Sequence, residues 1–119
     1  MPNHFHLLVK EKEENGISSF LLKLLTSYSS SFNKKYDRTG RLFESAFKVA
    51  HLDDDNYLKY IYSYIHLNPV KLIDHNWKEE GISDMGKTKD FLYNYKYSSY
   101  LDYFDNKRPE SKILNQKAF

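Results

Sequence analysis

The chain lacks cysteine altogether. That excludes disulfide frameworks, zinc ribbons and thiol nucleophiles. It also lacks any apolar stretch near the ~20 residues a membrane span needs. The opening Met1-Pro2-Asn3-His4 has neither the basic region nor the apolar run of a signal peptide. A soluble, cytoplasmic protein is the default expectation. There is no internal repeat and no clear linker. No P-loop, glycine-rich dinucleotide fingerprint or nucleophile elbow occurs. Charge of one sign is scarce too: the net charge is +2 and the pI about 8.6, which permits nucleic-acid binding without announcing it.

What remains is 119 residues and 14.3 kDa, one domain's worth with room for one modest core. Aromatic residues reach 17%, carried by eleven tyrosines and eight phenylalanines. Coding bias, of the kind an AT-rich genome produces, is the plainer reading for most of the tyrosines. Stacking surface for bases is the alternative use.

Residues 4–9, His4-Phe5-His6-Leu7-Leu8-Val9, read as a β-strand with His4 and His6 on one face. Lys10 to Gly16 reads as a charged turn. Ile17 to about Tyr36 carries Ile17, Phe20, Leu21, Leu24, Leu25, Tyr28 and Phe32 at the spacing of one buried helical face. Asp37-Arg38-Thr39-Gly40 is a natural stop. Arg41 to Ala50 fits a strand or an ordered loop. A second helix starts at Asp53-Asp54-Asp55, whose carboxylates suit a helix N-terminus. It runs to about Leu67 on a stripe of Leu58, Ile61, Tyr62 and Ile65. Pro69 biases Asn68 away from helical geometry. Asn76 to Asp90 reads as a polar loop, Phe91 to Phe104 as an aromatic segment with room for a short helix, and 105–119 as a loose polar tail.

Three features could carry chemistry. His4 and His6, two apart on a strand, aim two imidazoles at one side, close enough to share a cation. Two ordinary half-exposed histidines would look the same. Tyr64 and Asn68 lie four apart, on one helix face beside the apolar stripe; a boundary tyrosine and a helix-terminal asparagine are the plainer explanation. Lys34, Lys35, Arg38, Arg41 and Lys48, interleaved with Tyr36 and Phe43, could contact phosphates, or could be a solvated helix end. Together these residues suggest phosphodiester cleavage. A tyrosine hydroxyl can attack a phosphate polarised by a divalent ion, and two imidazoles and an amide oxygen would leave coordination sites for phosphate and water.

The same residues resemble a family. Met1-Pro2-Asn3-His4-Phe5-His6-Leu7-Leu8-Val9 looks like the histidine–hydrophobic–histidine (HUH) segment of tyrosine transposases, particularly the REP-associated branch. Tyr28 through Phe32-Asn33-Lys34-Lys35-Tyr36 is similar to the family's Phe-Asn-x-x-Tyr helix end. Arg38-Thr39-Gly40-Arg41-Leu42-Phe43-Glu44, followed by Phe47-Lys48, resembles its Gly-x-Leu-Phe segment. Tyr64-Ile65-His66-Leu67-Asn68-Pro69-Val70-Lys71 resembles its most recognisable block. Tyr97-Ser98-Ser99-Tyr100 resembles a late Trp-Ser-Ser-Tyr element, with Tyr97 in place of tryptophan. The likeness covers about residues 1–104, which makes these the catalytic domain and 105–119 a tail.

The resemblance implies an α+β fold, a ferredoxin-like or RRM-like antiparallel sheet backed by helices, with the histidine pair on a central strand. It implies that His4, His6 and Asn68 bind a divalent metal, Mg or Mn. Tyr64 would be the nucleophile, forming a 5′-phosphotyrosine and freeing a 3′-hydroxyl. The substrates would be hairpin-forming single-stranded DNA, held by Lys34, Lys35, Arg38, Arg41 and Lys48. Homodimers occur in one branch of the related transposases and monomers in another. Relatives carry a strand–helix–strand portion ahead of the histidine strand, so the expectation is a domain truncated at its N-terminal side, its sheet incomplete there. A DNA-binding remnant without catalysis is the alternative, and a helical protein-interaction module built on residues 17–36 is a third reading. Tyr57, Tyr60 and Tyr62 are lesser nucleophile candidates, Tyr62 because it lies in the apolar stripe.

Overall fold

The computed structural model describes residues 3–104 and 108–118. Met1 and Pro2 of the histidine segment, and residues 105–107 and 119 of the expected tail, lie outside them. The chain divides into two compact units, one of residues 9–51 and one of residues 1–8 with 52–119.

The 9–51 unit is built on helix α1, Gly16–Lys35. The three-and-four spacing of apolar residues does produce this helix, but it does not bury the stripe. Leu21 is buried, whereas Phe20, Leu24 and Tyr28 stay exposed. This unit holds no second regular element among the described residues, so most of the stripe meets nothing broad enough to cover it. The C-terminal half of α1 is better furnished. The Tyr28 ring lies 6.2 Å from both Phe32 and Phe43, and Phe32 lies 4.5 Å from Tyr36. The loop beyond is laced to the helix end. Asn33 donates its amide to the Gly40 carbonyl at 3.0 Å, and Arg38 donates to the Asn33 amide oxygen at 2.7 Å and to the Arg41 carbonyl at 3.2 Å. Gly40 sits at φ +89°, where a side chain would be strained. Arg41 to Ala50 forms an irregular loop.

The other unit begins with the histidine segment and resumes at helix α2, Asp55–Leu67. Asp54 caps α2 as the acidic cluster led one to expect: its carboxylate accepts from Asn56 N at 2.7 Å and Tyr57 N at 2.8 Å. At the far end Pro69 does not turn the chain out of helical geometry. Asn68 is helical at φ −55° and ψ −37°, and the chain tightens into a 3₁₀ helix over Asn68–Leu72. A proline near the start of a new helical segment removes a donor that would be unused there, which is why the turn survives. Short helix α3, Trp77–Glu80, and helix α4, Met85–Asn94, replace most of the expected polar loop. Asp84 caps α4 by accepting from Lys87 N at 2.9 Å.

Val70, Leu92 and Leu101 form the apolar core of this unit. They come from the 3₁₀ turn after α2, from α4, and from a 3₁₀ helix at Ser99–Tyr103. His66 is buried among them as a satisfied polar group. Its Nδ1 donates to the Tyr62 carbonyl at 2.8 Å, and its Nε2 then accepts from the Ser99 hydroxyl at 2.9 Å. Two of the sequence blocks noted above, around Tyr64–Lys71 and Tyr97–Tyr100, are thus joined by one hydrogen bond. Arg108 fastens the following segment: it pairs with both carboxylate oxygens of Asp102, at 2.7 and 2.8 Å, and donates to the Lys96 and Ser98 carbonyls.

The expectation of a sheet is overturned. More than half of the described residues are helical, and none of them lies in a strand. There is no ferredoxin-like or RRM-like antiparallel sheet here, and the described architecture is helical. Residues 4–9 have a strand's alternation but form none, because a strand exists only through hydrogen bonds to a neighbouring strand. No other described segment pairs with this one.

Candidate active site

Helix α2 has two faces that bear tyrosines. At ~100° per residue, Tyr62 and Tyr64 point well apart. Tyr62 turns inward, its ring 4.5 Å from His66 and 5.3 Å from Tyr103. Burial, together with the neighbouring Tyr103 hydroxyl, pushes its phenol up to about 12. This hydroxyl is poorly suited to losing its proton, as its place in the apolar stripe led one to expect.

Tyr64 turns to the other side and meets the histidine segment. The rings of His6 and Tyr64 are 6.1 Å apart, edge to face, and those of His4 and His6 are 5.1 Å apart. Tyr60 lies 6.2 Å from Tyr64 and Tyr57 6.2 Å from Tyr60, each pair close to parallel. The result is a row of aromatic rings along the outside of α2, with Tyr57 and Tyr60 well exposed. His4 and His6 are exposed too. Partial burial holds the His6 imidazole below its usual range, helped by the neighbouring His4 and the Lys78 ammonium. The neutral form, the one that ligates metals, is therefore favoured.

The spacing of the two imidazole rings is compatible with a shared ion. With nitrogens ~2.1 Å from a metal, two ligating rings at tetrahedral or octahedral angles have centres roughly 5 Å apart, close to the 5.1 Å found. A proton on His4 Nδ1, donated to Asn3 Oδ1 at 2.8 Å, fixes the ring and leaves the Nε2 lone pair uncommitted. Asn68 is placed differently. It lies one turn beyond Tyr64, its backbone N–H bonded to the Tyr64 carbonyl, but the residue is only 4% exposed. Among the described residues no hydrogen bond joins its side chain to either imidazole. No group of three or more His, Cys, Asp or Glu side chains able to hold a metal occurs among them either.

Two residues join this side that carry no motif. Trp77 and Lys78 of α3, with Tyr60, Ser63, Tyr64 and Leu67 of α2, line a cleft of about 200 Å³. Lys78 Nζ donates to the Tyr64 hydroxyl oxygen at 3.1 Å and lies 4.4 Å from the centre of that ring. They fall in the stretch that reads as a loop, so sequence spacing does not connect them with Tyr64. The one available signal was that Trp77 is the chain's single tryptophan.

Residues 1–68 match the family model described as "Transposase IS200 like". The chain belongs to the IS200-like transposase family. The matched stretch contains His4, His6 and Tyr64 and ends on Asn68. No curated protein and no solved structure matches the chain. Membership gives the chain a transposase function, with activity in DNA processing. Lys34, Lys35, Arg38, Arg41 and Lys48, the basic residues that the sequence sets apart in this transposase, all fall in the 9–51 unit. Lys34, Lys35, Arg41 and Lys48 are exposed. Arg38 is part-buried and committed to Asn33 and Arg41, with its guanidinium 5.8 Å from the Phe32 ring centre. Among the described residues no helix is long and apolar enough to cross a membrane.

Proposed function

We propose that this IS200-like transposase is a metal-dependent tyrosine enzyme of the REP-associated HUH type, nicking and rejoining hairpin-forming single-stranded DNA. The reading is carried by one observation: the tyrosine that meets the histidine pair is Tyr64, on the side of α2 away from the Tyr62–His66 core contact. In this reading the Tyr64 hydroxyl attacks the scissile phosphorus. A tyrosyl O–P bond forms, the P–O3′ bond breaks, and the phenol's proton ends on the 3′ oxygen. The product is a 5′-phosphotyrosine and a free 3′-hydroxyl, and the reverse reaction rejoins the strand. His4 and His6, with Asn68 as third donor, would hold Mg or Mn; a divalent ion there supplies Lewis-acid polarisation of the phosphate. Exposed Lys34, Lys35, Arg41 and Lys48 suit phosphate contacts along the hairpin, with Arg38 shaping the loop that carries them.

The test is a labelled hairpin oligonucleotide incubated with the chain and Mg or Mn, followed by denaturing electrophoresis. A covalent protein–DNA band is expected, lost on chelation and lost in Tyr64→Phe. A band undiminished in Tyr64→Phe would move the nucleophile elsewhere, with Tyr60 the next to examine. The burial of Asn68 favours a second reading, DNA binding without cleavage, because a buried amide is not offered to an ion. That reading predicts hairpin binding that survives chelation, falls steeply with salt and gives no covalent band with either metal.

A further inference from the structure

Lys78 stands closer to the Tyr64 oxygen than any group discussed so far. Its Nζ is 3.1 Å from that oxygen. A lysine side chain on a short surface helix ordinarily samples many rotamers, at a cost of up to ~2 kcal/mol when one is selected. Here two aromatic faces hold it. The ammonium lies 4.4 Å from the Tyr64 ring centre and 5.8 Å from that of Trp77, both within cation–π range. Trp77 is itself seated in the cleft with Tyr60, Ser63, Tyr64 and Leu67. Its indole Nε1 is buried with no hydrogen-bond partner among the described residues. The turn that presents both residues is closed by the Asn76 carbonyl, which accepts from Glu79 N at 3.0 Å and Glu80 N at 2.9 Å.

We infer that Lys78 is a catalytic residue of the strand-transfer step, contacting the nucleophilic oxygen of Tyr64 and the phosphoryl group that this oxygen acquires. The inference rests on the reading of Tyr64 as nucleophile. A phenolic oxygen has two lone pairs and one proton. The Lys78 ammonium occupies one lone pair and leaves the other for phosphorus. As the phenol's proton departs for the 3′ oxygen by way of solvent, the ammonium faces the negative charge left on the tyrosyl oxygen, and as the O–P bond forms that charge passes to the phosphoryl and 3′ oxygens. Once the bond exists, the non-bridging phosphoryl oxygens lie within ~3 Å of the tyrosyl oxygen and so come into reach of the same ammonium. Lys78 keeps its protons throughout, so the atoms and charges of the exchange balance without it. Its contribution is a positive charge in place before the reaction, aimed where charge develops. Tyr62, on the inward face of the same helix, packs against His66 and Tyr103 instead.

The experiment measures the rate of adduct formation at saturating hairpin oligonucleotide with Mn, alongside hairpin affinity measured separately. Lys78→Met is expected to slow adduct formation about 10²-fold at saturation, with affinity and melting temperature unchanged. Lys78→Arg, which restores the charge, should recover part of the rate. Lys78→Ala should regain rate when methylammonium is added, a response that a merely structural lysine would not show. Lys78→Gln, compared by circular dichroism, guards against a folding defect in the methionine variant. If Tyr64→Phe abolishes the adduct but Lys78→Met forms it at the parental rate, the assignment of Lys78 is overturned and that of Tyr64 stands. If Lys78→Met lowers only affinity, the assignment is likewise overturned. An adduct undiminished in Tyr64→Phe, or absent from the parental chain, overturns both.

Discussion

The inward and outward faces of α2 differ in what they do with similar side chains. Inward, Tyr62 and His66 are held among Ser99, Tyr100 and Tyr103, and both His66 nitrogens have partners. Outward, Tyr64 meets an exposed histidine pair and a lysine. The inward face spends its polar atoms on one another, which specifies the packing of the core. The outward face sets imidazole rings and a phenol oxygen beside an ammonium, apart from the polar network of the core. Residue type does not decide which side chains of this helix join the core. Tyr62 and Tyr64 have different neighbours because of the direction in which they point.

Substitutions can sharpen this contrast. His6→Ala is expected to abolish the covalent DNA adduct while leaving the thermal melt in place, because the side chain it removes is exposed; denaturing gels and differential scanning calorimetry on one preparation give both readings. His66→Leu should do the reverse. It strips partners from the Tyr62 carbonyl and the Ser99 hydroxyl, at an expected cost of about 2 kcal/mol, seen as a lower midpoint in urea. A variant in which the two effects were exchanged would break the comparison.

A smaller effect should appear in pH. Burial holds the His66 imidazole below its ordinary 6.5, and the groups facing it are the side chains of Tyr62, Ser99, Tyr100 and Tyr103, with no carboxylate among them. The unfolded chain therefore binds a proton more readily than the folded one. Stability is complete above 6.5 and declines as pH falls below it towards the lower folded value. Melts between about pH 7.5 and 5.5 should show this decline, and His66→Leu should flatten it, leaving a weaker slope from His6. Least of all, Asp54→Ala should cost about 1 kcal/mol by removing the α2 cap, with no change in which face of the helix does which task.

Local signals carried well. Asp54 caps α2 because a carboxylate ahead of an apolar stripe meets free amides wherever the helix is placed. The spacing of Ile17 to Phe32 produces α1 for similarly local reasons. The pairing of His4 with His6 needs only that they are two residues apart in an extended segment. What failed depended on partners. Alternation at 4–9 could not make a strand without a neighbour to bond, and the apolar stripe of α1 could not bury itself against a unit with no second helix or sheet. Asn76 to Asp90 read as a loop because its polarity hid the Asp84 cap and the anchoring of Trp77.

The sequence by itself determined the family, the landmarks His4, His6, Tyr64 and Asn68, and where α1 and α2 begin and end. These follow from side-chain identity and short-range spacing. Only the tertiary structure decided that Asn68 is buried, that His66 belongs to the core, and that Lys78 reaches the Tyr64 oxygen. Each of these depends on contacts between segments distant in the chain, and Lys78, fourteen residues from Tyr64, reaches it only after α3 has packed on α2.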